Sequence, residues 1–320
     1  MVRANWNNLR PLVRYSGGAL VAIAVIVGAN LFHPASAATT KQTTFTSPEQ
    51  AVDSLLTAVR AGNKGDLLRI LGPEGKKLIS SGDPVADGQA REKFVAKADE
   101  GKKVVKEGDA RAILVVGKDE WPLPIPIVKQ DSGWHFDTKA GAQEIVDRRI
   151  GANELNAIEV CRAYVDAQTD YAMKDRNNDG FKEYAQKFVS SPGKHDGLYW
   201  PAQAGEEESP MGPLAASARA EGYGSTHVEG KRTPYYGYYY RILKAQGKSA
   251  PGGAVDYVVK GHMIGGFALV AFPAEYGVSG IMSFIVSYDG VVYQKDLGPS
   301  TAKIAGAMTR FDPDPTWKTP

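Results

Sequence analysis

The chain has 320 residues, with 38 Lys plus Arg against 36 Asp plus Glu and a formal net charge of +2. Its lysines are scattered, and short clusters such as Lys102-Lys103 sit between Glu100 and Glu107, which excludes the basic footprint that binds nucleic acid. A single cysteine, Cys161, excludes a disulfide framework within the chain.

Residues 1–38 read as an export label. Arg3, Arg10 and Arg14 precede an uncharged apolar run from Gly17 to Phe32, and Pro34 and Ala35-Ser36-Ala37-Ala38 follow. That is the order of a secretory signal peptide, with cleavage expected after Ala37. The run falls short of the roughly 20 residues that span a bilayer as a helix. The label holds three arginines and no acid, so the remainder carries a formal charge of −1. No second long apolar run follows, and no membrane span is expected once the label is removed. The protein is expected in the periplasm or secreted from a bacterium.

The remaining length favours two domains. Ser47-Pro48-Glu49-Gln50 is a helix start, with Ser47 as cap and Gln50 completing a capping box. Ala51, Val52, Leu55, Leu56 and Val59 then repeat at helical spacing, and a second short helix carries Leu67, Leu68 and Leu71 up to Gly72-Pro73. A third helix is expected over 83–100, entered through Asp83-Pro84. Strands are expected over 103–106, 110–116, 123–129 and 134–137, divided by Gly108-Asp109, Gly117-Lys118 and Asp131-Ser132-Gly133. Alternating Pro122, Pro124 and Pro126 mark the third of these as an edge strand. A long helical stretch follows over 140–190, with a break expected near Gly151 and the periodic part ending near Ala172.

From residue 190 the grammar changes. An excursion over 192–235, rich in Gly, Pro, Ser and Glu, has no periodic run and is too long for an ordinary connection. Strands are expected over 235–243, 257–259, 267–273, 280–287 and 291–297, the last two joined by a turn at Asp289-Gly290. The tail from Phe311 is expected to be extended.

The expected class is therefore α+β. Over 45–145, helices followed by a meander ending in "GWHFDT" resemble the nuclear-transport-factor-2-like, or cystatin-like, cone, in which helices pack into a curved sheet. Over 150–320, a long helix bearing "AQTDY", then "GYYYRIL", "SGIMSFIV" and a final Asp-Gly hairpin, resembles the globular head of type IV pilins and pseudopilins, a helix packed on a small antiparallel sheet. Pilins carry a Gly before their leader cleavage point and a Glu soon after it, and residues 1–38 lack that pattern. Over 45–320, "DGLYWP" at 196–201, "SPMGPL" at 209–214, "PYYGYYYRILKAQG" at 234–247, "APGGAVDYVVKGHMIGGFALVAFPAEYG" at 250–277 and "YQKDLG" at 293–298 resemble a family of secreted bacterial proteins, number 2950 of the domain-of-unknown-function series. That resemblance implies an envelope protein and no particular activity.

Two constellations carry candidate chemistry. Asp175, Asn177 and Asp179, followed by Gly180, have the alternate oxygen ligands of the first half of a calcium loop. Glu183 stands at its ninth position and Gln186 at the twelfth, where a bidentate Glu belongs. A polar turn after a helix has the same composition. The aromatic group Tyr199, Trp200, Tyr223, Tyr236, Tyr238 and Tyr240 is read as a surface that grips an envelope protein or stacks on a glycan. In a strand, Tyr236, Tyr238 and Tyr240 share one face, and such aromatics are equally good sheet material. Cys161, on one helical face with Ile158 and Val165, reads as a buried small hydrophobe. No motif names a catalytic residue. A hydrolase or cell-wall-modifying enzyme at the 192–240 region would use His195, Asp196 and His262, with His227 in a loop nearby. A third alternative is a pilus-like subunit. The leading expectation is non-catalytic binding or scaffolding.

Overall fold

Ser47 caps the first helix, its Oγ accepting the Gln50 N–H at 3.1 Å. Gln50 Oε1 reaches back to the Thr46 N–H at 2.8 Å, one residue before the Ser47 N–H that the expected capping box would use. A computed structural model describes residues 41–130, 133–203, 205–223 and 233–320. The export label, Asp131-Ser132 and His227 lie outside the described residues.

Helices α1 (Pro48–Arg60), α2 (Lys64–Leu71), α3 (Lys76–Ile79) and α4 (Pro84–Glu100) lead into strands β1 (Lys102–Lys106), β2 (Arg111–Val116), β3 (Trp121–Pro122), β4 (Ile127–Gln130) and β5 (Gly133–Phe136). All pairings are antiparallel, in the order β1-β2-β4-β5, with β3 beside β2. Alternation in β2 turns Ala112, Leu114 and Val116 into a core with Val52, Leu55 and Leu56 of α1 and Phe94 of α4. Leu123–Pro126 is not strand. Its prolines lack the N–H a ladder needs, and Leu123 makes a single ladder-like bond, to the Leu114 carbonyl at 2.7 Å.

Helix α5 (Thr138–Tyr171) is 34 residues long and continues through Gly151 without the expected break. Gly151 is exposed and costs only propensity there, so the flanking turns carry the helix across it. At about 1.5 Å per residue, α5 runs some 50 Å. It joins the first core at Ile145 and the second through Ala157, Ile158, Cys161 and Tyr164. The second core lies between α5 and a four-stranded antiparallel sheet. In chain order come α6 (Gly212–Ala220), β6 (Tyr238–Leu243), β7 (Ala245–Gln246), β8 (Val255–Asp256), β9 (Val258–Val259), β10 (His262–Met263), β11 (Ala268–Pro273), β12 (Met282–Ser287), β13 (Val292–Asp296) and α7 (Thr301–Ala307). The sheet order is β13-β12-β11-β6, with β7-β8 and β9-β10 as small pairs. Every residue of β11 is buried, as its unbroken apolar run implies. The class is α+β, as expected.

Helices α6 and α7 and the start of β6 differ from expectation. The excursion contains α6, and α7 follows β13. Strand β6 begins at Tyr238, because Tyr236 and Gly237 both have positive φ, 50° and 72°, and form a tight turn closed by Tyr235 and Tyr238. Tyr236 therefore does not share a strand face with Tyr238 and Tyr240. The tail is tied down: Phe311 and Trp317 are buried, and Lys318 bridges to Gln294.

Candidate functional site

The turn after α5 is held by a buried arginine. Arg176 donates from Nε to the Tyr171 carbonyl at 3.1 Å and from Nη1 to Glu207 at 2.6 Å, and its Nη2 meets Asp170 at 3.2 Å. Its guanidinium lies 5.8 Å from the ring centres of Tyr171 and Trp200. Such pairing is what makes a buried guanidinium tolerable.

Anchored there, the next residues close on themselves. The Asp175 carboxylate accepts the N–H groups of Asp179 at 3.2 Å and Gly180 at 2.9 Å. Asp179 Oδ1 accepts the Phe181 N–H at 2.9 Å. Asn177 Nδ2 donates to Asp179 Oδ2 at 2.7 Å and to Glu183 Oε1 at 2.8 Å. Gln186 turns away, donating to the Gly261 carbonyl at 2.6 Å and accepting from Lys244 at 2.9 Å. Asp175, Asn177 and Asp179 are thus together, but Asp175 serves the backbone.

Opposite this turn stands the hairpin of β9 and β10. Lys260 and Gly261, with φ of 51° and 93°, supply the two positive-φ residues of a two-residue turn, which fixes His262 at its exit. His262 Nδ1 lies 3.3 Å from Glu183 Oε2 and 3.5 Å from Asp179 Oδ2. Phe181 packs on the imidazole, ring centres 4.1 Å apart. Burial raises the Asp179 carboxyl, but hydrogen bonds from Phe181 and Asn177 and the attraction of His262 outweigh it, leaving the group below its ordinary range. A pocket of about 370 Å³ opens beside these groups, with Tyr171, Lys187, Asp196 and Lys244 on its wall. Burial would likewise raise Asp196, yet Lys187 Nζ at 2.6 Å and Ser191 take it down to about 2.

The six aromatics do not form one face. Trp200 is buried, stacked on His195 at 4.2 Å and donating to the Glu207 carbonyl at 3.0 Å. Tyr199 packs on Arg219. Tyr223 is buried and donates to Asp83 Oδ2 at 2.9 Å, and Tyr236 donates to Glu221 at 2.7 Å. Tyr238 is wholly buried, with its hydroxyl on the Met282 carbonyl. Tyr240 alone of the six lines a groove of about 490 Å³ between β6 and the excursion, with Phe188, Met211, Leu214, Tyr235 and Tyr239. The sequence does not single out Tyr235 and Tyr239, because a two-faced strand gives no sign of which face a neighbouring segment covers.

The three residues of the rival catalytic reading face different neighbours. His195 stacks on Trp200, Asp196 holds Lys187 and Ser191, and His262 faces Asp179 and Glu183. In the sequence Glu183 stands at the ninth position of a calcium-type loop, with no visible connection to His262. Their 79-residue separation hides the pairing.

A family described as "Protein of unknown function (DUF2950)" matches residues 42–319. No curated protein and no solved structure matches the chain.

Proposed function

The chain belongs to the DUF2950 family, and from that premise we propose that it is an exported protein of the bacterial envelope with a non-catalytic binding or scaffolding role. The order of charge, apolar run and small residues in 1–38 supports export. Among the described residues, no helix is long and apolar enough to cross a membrane.

The observation that carries the binding role is the groove between β6 and the excursion. Its volume is in the range of small-ligand and peptide-side-chain sites, and its wall is mostly aromatic and apolar with Lys187 and Arg241 at the edge. Tyrosine there offers a broad apolar face and a hydroxyl at little entropic cost. An envelope protein segment or a glycan has the matching chemistry. The test is capture from envelope extract with the mature chain and with Leu214→Glu, which puts a charge on the groove wall at a half-buried helix position. Partners or glycans lost from the variant support the role; identical captures overturn it. Cell fractionation with N-terminal sequencing tests export, with Ala38 as the expected first residue.

The cystatin-like reading of 45–145 and the pilin-head-like reading of 150–320 belong to this proposal. Helices followed by an antiparallel sheet and a long helix beside a four-stranded sheet support them. A pilus-like subunit would form polymers visible in electron micrographs; a strict monomer speaks against it. A hydrolytic role is favoured by one observation, the His262–Glu183 pair beside an open pocket. Turnover of cell-wall fragments lost in His262→Ala would establish it.

A further inference from the structure

We propose that Asp179, Glu183 and His262 bind a divalent first-row transition ion, with zinc as the reference ion, at the junction of the post-α5 turn and the β9–β10 hairpin. This site is separate from the tyrosine groove and does not rest on it.

The donor set is the first reason. Among the described residues, these three bring ligand atoms within 4.8 Å of one another: one oxygen from each carboxylate and one imidazole nitrogen. Two carboxylates and an imidazole suit zinc and its neighbours. Calcium takes six to eight oxygens and no nitrogen, whereas this set includes the imidazole nitrogen of His262.

The second reason is an orphaned buried atom. His262 Nδ1 is buried and makes no hydrogen bond, although carboxylate oxygens lie 3.3 and 3.5 Å away. A buried ring nitrogen that makes no hydrogen bond is costly. The three ligand atoms lie within 4.8 Å of one another. Metal bonds of about 2.0–2.2 Å in tetrahedral array separate neighbouring ligands by roughly 3.3–3.6 Å, and the two separations from His262 Nδ1, 3.3 Å to Glu183 and 3.5 Å to Asp179, fall in that range.

The third reason is preorganisation. Asn177 Nδ2 bridges the two carboxylates. The Met263 N–H donates to Glu183 Oε2 at 3.0 Å, and Tyr184 N–H to the Met263 carbonyl at 2.8 Å, so hairpin and turn are tied together. Phe181 fixes the plane of the imidazole. Holding two like charges side by side, one of them on the largely buried Glu183, is unfavourable without a counter-ion, and a dication removes that cost. Outer contacts of this kind orient ligands at metal centres. The adjoining pocket leaves a coordination position open to water or a ligand group.

The test is calorimetric titration of the mature chain, stripped with chelator, using zinc chloride and, separately, calcium chloride. One zinc per chain is expected, with a rise in Tm that calcium at the same concentration does not produce. His262→Ala and Asp179→Asn should each weaken zinc by about 100-fold or more, and Asn177→Ala by about 10-fold. Cobalt(II) added to the unaltered chain should give a visible spectrum of mixed nitrogen and oxygen coordination, a readout that needs no variant to fold. Absence of zinc binding by the folded chain overturns the proposal. So does a His262→Ala variant that folds and binds zinc as tightly as the parent. Calcium binding that His262→Ala leaves unchanged would also overturn it, in favour of an oxygen-only site. Failure here leaves the groove captures untouched, and loss of groove captures leaves the zinc isotherm untouched.

Discussion

Cys161 shows how far a single residue can be read from its neighbours. Its helical face with Ile158 and Val165 pointed inward, and the thiol is wholly buried, with burial pushing it up to about 12. A thiolate is the reactive form, so the native chain should resist a thiol reagent at pH 8 and react once unfolded in guanidinium; labelling at the unfolded rate under native conditions would contradict this. Asp196 behaves oppositely. Its carboxyl, held at about 2, titrates below an unfolded aspartate near pH 4. Its contribution is complete above about pH 4 and fades as the pH falls toward 2. Asp196→Asn should cost about 1 kcal/mol at pH 7, discounted because Lys187 is about half exposed. The difference between parent and variant in denaturant melts should vanish near pH 2. Nothing in "GKHDG" announces this pair, because a surface carboxylate acquires its partner only when the loop closes.

Two glycines of α5 separate what an element tolerates from what its packing forbids. A Cβ on Gly151 meets nothing within 4 Å. Gly151→Ala should therefore stabilise the chain by up to about 1 kcal/mol, the propensity difference in a helix interior. A Cβ on Gly141 would sit 2.2 Å from the Pro124 carbonyl oxygen and 2.7 Å from the Ile125 nitrogen. Backbone cannot yield there, and Gly141→Ala should destabilise by about 3 kcal/mol. Thermal melts of the two variants should move in opposite directions, and a shift of the same sign in both would refute the packing account. The helix itself was legible from its period, as were α1, α2 and α4 from their caps. The expected break at Gly151 was not a break, since one glycine costs less than the surrounding turns supply. The prolines at 122–126 suggested an edge strand, but only Pro122 is in the sheet, in β3, and Leu123–Pro126 leaves it, with Pro124 and Ile125 against Gly141.

At the scale of the molecule, α5 is shared by both cores, and Asp83 joins them again. Its Oδ1 caps α4 through Val85 and Ala86, while Oδ2 accepts the Tyr223 hydroxyl and the Gly237 N–H, both at 2.9 Å. On α5, Asn153 donates to the Ser279 carbonyl at 2.8 Å, and Glu154 accepts the N–H groups of Ile281 and Met282. Asp83→Ala removes a cap and leaves two buried donors unpaired, at a cost of about 3–4 kcal/mol. Hydrogen exchange should then rise in both β2 and β11. A rise confined to β2 would show that the two cores open independently.

By itself the sequence determined most of the helices and strands, the α+β class, the family and the position of the polar turn at 175–183. These follow from local period, caps and turn residues, which act over a few positions along the chain. Only the tertiary structure decided which tyrosines line a groove and which fill a core, and only it brought His262 across 79 residues to Glu183. Those outcomes depend on which faces meet when the excursion and the β9–β10 hairpin fold over α5 and β6, and neighbours along the chain carry no record of that.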